Sequence, residues 1–324
     1  MKKNSRQICK MGLLAATAGC ATLAAVGEGL FRFALKRRLS PIAGPGTFTM
    51  KFIPLSLKDF QHPYFDKDWW EKQDSRPISV IANDGAMLNG VWFHQTHNPS
   101  GKAVLLLHGY GGRGRHMQNY AQVYWERGYD LFIPDARAHG KSEGAIIGMG
   151  WLDRLDELVW LQEIIHRLGE TAQIVLHGVS MGGATVCMTC GECLPRQVEC
   201  AVSDCAYTSV EDEFDHLLHF MFHLPREPVL SAAQLVARLH GCYDFRDASA
   251  LKQVAKSKTP LLFMHGEADT FVPFSMMKRL YDASPASLRA MHAFPGAGHG
   301  QSLTYSPEDY MKVLDEFLNR FIPA

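Results

Sequence analysis

The stretch HGVSMGG, residues 177–183, decides how the rest of the chain is read. A Gly-x-Ser-x-Gly motif occurs by chance in many proteins, so its meaning lies in its flanks. Here the apolar run QIVL precedes it and the small, apolar segment ATVCMTCGECL follows. A short continuous apolar run suits a strand buried on both faces, and the following segment suits a helix. Strand, sharp turn and helix are the setting in which a serine is held at the tip of a strained turn with its hydroxyl exposed. Gly178 and Gly182 then relieve crowding on either side of Ser180. The amide of Met181, at the helix start, is expected to point at charge developing beside Ser180, reinforced by the positive end of the helix.

The same alternation extends outward. ISVIA and LNGVWFHQ flank NDG and read as a hairpin, followed by the buried strand AVLLL (103–107). A helix over RHMQNYAQVYWERG, the strand DLFIP, the helix WLDRLDELVWLQEIIHRLG, the strand VECAVSD, the strand PLLFMHG, the helix FSMMKRLYDA, the strand LRAMHAF and a final helix over SPEDYMKVLDEFLNRFI complete the series. Strands alternating with helices predict an α/β fold with a mostly parallel sheet of the eight-stranded type, covered by helices on both faces. Residues 208–258 break the rhythm with helix-like sequence too long for a tight connection, and read as a helical cap inserted into a core of residues 78–207 and 259–324. Residues 41–77 are a connecting segment.

Three apolar runs, VLLLHG, IVLHG and LLFMHG, end in His-Gly at the carboxyl end of a strand, which is where open α/β sheets bind ligands. The first leads into HGYGGRG (108–114). No Gly-Lys-Ser/Thr follows, so a phosphate loop is excluded. Glycines that expose backbone amides fit an oxyanion loop, with the amide of Tyr110 as donor. A serine hydroxyl needs a base, and the base a carboxylate that orients it. Asp269, in HGEADTFVP, follows the next-to-last core strand; His299, in PGAGHGQS, follows the last. The chain order Ser180, Asp269, His299 is the order this architecture requires. His108 and His139 read as structural histidines, Asp204 as a capping or turn residue, Glu267 as solvent-facing, and Asp135 with Arg137 as an ion pair or loop brace.

The composition narrows the alternatives. With 33 basic and 33 acidic side chains and no basic stripe in the body of the chain, nothing points to nucleic acid. Eight cysteines include a cluster at 187, 190, 193, 200 and 205, but no second Cys-x-x-Cys completes a metal site, so buried apolar thiols are expected and no metal. The N-terminus is different in kind: basic MKKNSRQICK, then the uncharged MGLLAATAGCATLAAVG, then basic EGLFRFALKRRLSP. Residues 1–40 therefore read as a signal anchor or signal peptide that puts the remaining domain outside the cytoplasm. A lipoprotein site at Cys20, a cytoplasmic location and an amphipathic helix lying on the domain are the alternatives.

LLLHGYGG, PDARAHGKSEG, LHGVSMGGAT, PLLFMHGEADTFVP and GAGHGQS occur in that order between about residues 78 and 322. In these motifs the chain resembles the α/β-hydrolase superfamily. Within it the chain resembles bacterial serine hydrolases of the prolyl-oligopeptidase-like and cinnamoyl-esterase-like branch, many of which carry an N-terminal membrane segment. The resemblance implies an α/β-hydrolase fold, a Ser180, His299, Asp269 triad, oxyanion amides at Tyr110 and Met181, and no cofactor. It implies hydrolysis of an acyl ester through an acyl-enzyme. Peptide or amide cleavage, acyl transfer, and a degenerate scaffold that only binds are the other readings. The sequence lacks the long N-terminal domain of prolyl oligopeptidases and the His-Gly-Gly-Gly of hormone-sensitive-lipase relatives. Oligomeric state is not legible.

Overall fold

The continuous apolar runs form the middle of a sheet, and side-chain alternation within them feeds two separate cores. In the computed structural model, which describes residues 19–37, 62–96, 100–285, 287 and 289–322, the strands are β1 (Ser75–Ile81), β2 (Met87–Phe93), β3 (Lys102–Leu107), β4 (Asp130–Pro134), β5 (Gln173–Val179), β6 (Val198–Asp204), β7 (Leu261–Gly266) and β8 (Arg289–Phe294). They form one eight-stranded sheet in the order β1-β2-β4-β3-β5-β6-β7-β8. Only β2 runs antiparallel to its neighbours, β1 and β4; every other pair is parallel. The β1–β2 turn uses Gly85 at φ 87°, in the left-handed region where glycine carries no steric penalty.

The helices are α1 (residues 19–34), α2 (Trp69–Lys72), α3 (Gln118–Trp125), α4 (Asp153–Leu168), α5 (Met181–Thr189), α6 (Val210–Phe222), α7 (Arg226–Leu239), α8 (Ala250–Val254), α9 (Ser275–Ala283), α10 (Ser302–Tyr305) and α11 (Pro307–Leu318). Along β3, Ala103, Leu105 and Leu107 join the core under α4, α5 and α9, while Val104 and Leu106 join the core under α3 and α11. The same division of odd and even positions recurs in β5 and β7, as a two-residue period demands when both faces are buried. The helix expected over RHMQNYAQVYWERG begins instead as a 3-10 turn at Gly114–Met117, with α-helix only from Gln118.

After β3 the chain moves to one side for β4, then returns to β3's other flank for β5, where Leu107 is paired with Gly178. That reversal opens a crevice at the carboxyl ends of β3 and β5, and the residues singled out from sequence flank it. Between β6 and β7 the chain leaves the sheet for α6, α7 and α8.

The described part of the apolar N-terminal run lies on the domain. Gly27, Phe31 and Leu35 are its buried positions. No helix among the described residues is long and apolar enough to cross a membrane; residues 1–18, which carry the first half of the expected anchor, lie outside them. The expected burial of the cysteine cluster holds only in part. Cys187 is buried inside α5, Cys190 is buried at its C-cap, and Cys193 lies exposed beyond the helix. Burial pushes the Cys187 thiol up to about 12, so it behaves as a small apolar side chain. Among the described residues every cysteine is free.

Candidate active site

β5 runs one residue further than its sequence suggests, to Val179, so Ser180 follows the strand directly and caps α5. Its backbone sits at φ 58° and ψ −118°, a conformation costly for a residue with a Cβ and kept only when the surroundings enforce it. The enforcement is close backbone packing. A Cβ on Gly178 would lie 2.1 Å from the Gly182 carbonyl oxygen, and one on Gly182 would lie 2.1 Å from that of Leu107. Gly182→Ala is a direct check. Alanine gains about 1 kcal/mol of helix propensity, but forced overpacking costs roughly 1–3 kcal/mol. A contact this short belongs at the upper end, so a lowered urea midpoint is expected.

The Ser180 hydroxyl donates to His299 Nε2 at 2.8 Å, and His299 Nδ1 donates to Asp269 Oδ2 at 2.7 Å. The other carboxylate oxygen of Asp269 accepts the amides of Phe271 and Val272, both at 2.9 Å. Burial works against ionising Asp269, but His299 and His265 more than offset it and hold the carboxyl well below the usual carboxylate range. An ionised Asp269 keeps the His299 proton on Nδ1, which leaves Nε2 as the acceptor facing Ser180. The structure thus brings the three sequence-selected side chains together, each buried.

The loop after β3 runs alongside the serine, since a Cβ on Gly109 would lie 3.3 Å from Ser180 Cβ. Two neutral histidines pin this loop and the one after β4. His108 accepts the Ala136 amide at 2.9 Å through Nε2 and donates through Nδ1 to the Gly109 carbonyl at 2.8 Å. Burial, with the neighbouring His139, pulls its pKa down to about 3. His139 accepts the Gly111 amide at 3.1 Å and donates to the Arg137 carbonyl at 2.9 Å. Tyr110, between those glycines, donates its hydroxyl to the Ala34 carbonyl of α1 at 2.8 Å. Met181 opens α5, so its amide belongs to the first turn, which has no acceptor within the helix.

Two sequence readings need correction. Asp204 is neither a cap nor a turn residue. It is fully buried and accepts Tyr310 and Ser302 at 3.2 and 3.1 Å, and burial raises it to about 6. Asp135 does not pair with Arg137. It accepts the amides of Gly114 and Lys141, while Arg137 holds Asp156 through two 2.6 Å bonds and Asp84 through one of 2.9 Å.

Sequence reasoning passed over two groups. His265 Nε2 lies 3.1 Å from Asp269 Oδ2 and 3.0 Å from the Val272 carbonyl, bracing the carboxylate from its far side. Its signal was visible, because it is the third of the strand-terminal His-Gly pairs. Glu213, from α6, is buried in the apolar cavity over Ser180, and its Oε2 meets no hydrogen-bond partner among the described residues. Burial, with Asp269 and Asp212 nearby, raises its carboxyl well above the ordinary range.

Cys205, Asp269 and His299 place donor atoms within 4.8 Å of one another, close enough to suggest a metal. The donors do not fit one. Both His299 nitrogens are committed, and burial keeps the Cys205 thiol protonated.

A family model described as alpha/beta hydrolase fold matches residues 102–241. The Pyrococcus furiosus esterase Pf2001 superposes with a TM-score of 0.64 at 20% identity, over 80% of this chain and 97% of that one. The chain has the α/β-hydrolase fold. The Pyrococcus horikoshii acylaminoacyl peptidase is also similar, over 79% of this chain and 44% of its own, with a TM-score of 0.59 and 18% identity. Among curated proteins, the uncharacterized Bacillus subtilis protein YqkD is 25% identical over 81% of this chain and 84% of its own. The fold has thus been solved in both esterases and peptidases, and the chemistry of this chain has to be argued from its own residues.

Proposed function

We propose that the protein is a serine hydrolase that cleaves carboxylic esters through an acyl-enzyme. The observation that carries this is the unbroken hydrogen-bond line from Ser180 through His299 to an ionised Asp269, at 2.8 and 2.7 Å, opening into a cavity walled mainly by apolar side chains. Ser180 Oγ attacks the ester carbonyl carbon while its proton passes to His299 Nε2. The amides of Tyr110 and Met181 receive the resulting oxyanion. Collapse of the tetrahedral adduct expels the alcohol, which takes the proton back from Nε2. Water then attacks the acyl-serine, with the same nitrogen as base, and releases the carboxylic acid. Asp269 stays ionised throughout and stabilises the imidazolium.

An apolar acyl group suits the cavity, where seven apolar residues, Phe214, Leu217, Met221 and Phe271 among them, outnumber the four that carry a polar side-chain atom. The test is a fluorophosphonate probe on the whole chain. Only an activated serine labels within minutes, so one adduct, mapped to Ser180 by mass spectrometry, is the expected result. Labelling at another residue, or none, overturns the assignment.

A further inference from the structure

The cavity over Ser180 adjoins a second one that the hydrolytic reading does not use. The first has about 550 Å³ of empty space and is roofed by α6 and by Phe33 and Ala34 of α1. The second has about 510 Å³, and it shares Phe33, Ala34, Phe214, Leu217 and Met221 with the first. The far cavity adds Leu30 from α1 and Leu35 just beyond it, Leu230 and Ala233 from α7, and Phe245; every described residue lining it is apolar. A polar substrate group placed there would meet no side-chain partner and lose its hydration.

The wall that closes this space is held at several points. Glu28 of α1 bonds His240 at 2.8 Å, and Phe31 stacks on the same ring at 4.3 Å. At the other end, the Leu35 carbonyl accepts the Ile147 amide at 2.7 Å, and the Arg37 guanidinium donates to the Ser142 carbonyl at 2.5 Å. Tyr110 ties Ala34 to the loop beside the nucleophile. The helix is thus built into the site.

Resting on the ester-hydrolase reading, we propose that the two cavities form one acyl channel with α1 as its outer wall, and that the substrate is an ester of a long unbranched fatty acyl chain. The scissile carbonyl sits at Ser180, and the distal methylenes run between α1, α6 and α7. Nothing but hydrocarbon matches the distal lining, and shared walls make the Ser180 cavity its continuation.

The test uses the full-length protein and p-nitrophenyl acetate, butyrate, octanoate and dodecanoate below their micelle concentrations. Burial of each added methylene is expected to raise kcat/KM by about fourfold while the channel fills. Two variants narrow the far cavity from opposite sides: Ala233→Phe from α7 and Leu30→Trp from half-buried α1. Each should lower the dodecanoate-to-acetate ratio of kcat/KM by at least about tenfold, a readout that partial unfolding would not move because it scales both esters alike. A flat chain-length series, or an unchanged ratio in both variants, overturns the channel. A shifted ratio in Ala233→Phe alone overturns α1 as its wall. Each of these leaves Ser180 chemistry standing, whereas failure to hydrolyse any ester and to take up the fluorophosphonate overturns the hydrolase reading itself.

Discussion

Replacing Ser180 by alanine is expected to lower kcat on p-nitrophenyl butyrate by at least about a thousandfold, because the residual rate comes only from binding and the oxyanion amides. The stronger form of the prediction concerns the second substitution. Adding His299→Ala to Ser180→Ala should cost almost nothing more, since a base 2.8 Å from a missing hydroxyl has no proton to accept. Two independent contributions would multiply instead. Thermal stability should change little. The alanine keeps the Ser180 amide bond to the Asp204 carbonyl at 2.8 Å, and the glycines that shape the turn are untouched. A Ser180→Ala protein that still turns the ester over would place the nucleophile elsewhere.

Ser180 was legible because its geometry is local: seven adjacent residues dictate strand end, turn and helix start, and Gly178 and Gly182 mark the two backbone contacts that admit no side chain. Asp269 and His299 were legible for a different reason, since chain order and the position of loops after strands restrict the choice. What failed to show in the sequence was set by contacts between distant segments. Arg137 sits in a loop with Asp135 two residues away, yet its partners are Asp156 and Asp84, 19 and 53 positions off. Asp204 ends a strand, as many turn aspartates do, and the approach of Tyr120 and, from the C-terminal part of the chain, of Tyr310 and Ser302 brings donors to it in the interior. The apolar run at 11–27 is described only from residue 19 onward, and there Gly27 marks a close contact that composition does not announce, because a Cβ there would meet the Ala232 carbonyl of α7 at 2.8 Å.

The first turns of α4 lead to the second large effect. Asp153, Asp156 and Glu157 are each no more than 3% exposed, and Arg137, at 7%, is the cation that bonds Asp156 among them. The helix N-terminus favours negative charge there, but not enough for all three carboxyls. Burial, with Asp156 beside it, raises Asp153 to about 7, and burial raises Glu157 well above the ordinary range. Asp153 Oδ1 and Glu157 Oε2 find no partner. The cluster therefore holds its protons and concentrates its charge on the bidentate Arg137–Asp156 pair. Arg137→Met is expected to cost about 3–5 kcal/mol, read as a lowered urea midpoint at pH 7, because it leaves Asp156 buried without its counter-charge. Arg137→Met with Asp156→Leu should recover most of that loss, since an apolar pair of similar volume replaces a desolvated ion pair. The pH dependence has a definite sign. Folded Asp153 keeps a proton that the unfolded chain, with a pKa near 3.8, has already released, so its contribution to stability is complete below about pH 4 and disappears as pH rises through about 7. Asp269 works in the opposite sense, stabilising above the unfolded pKa and losing its contribution in acid. Asp153→Asn removes the first dependence while keeping an acceptor for the Gly150 amide. The variant should therefore gain stability relative to the natural chain between pH 5 and pH 8, and equal midpoints at both pH values would show that Asp153 is ionised in the fold after all.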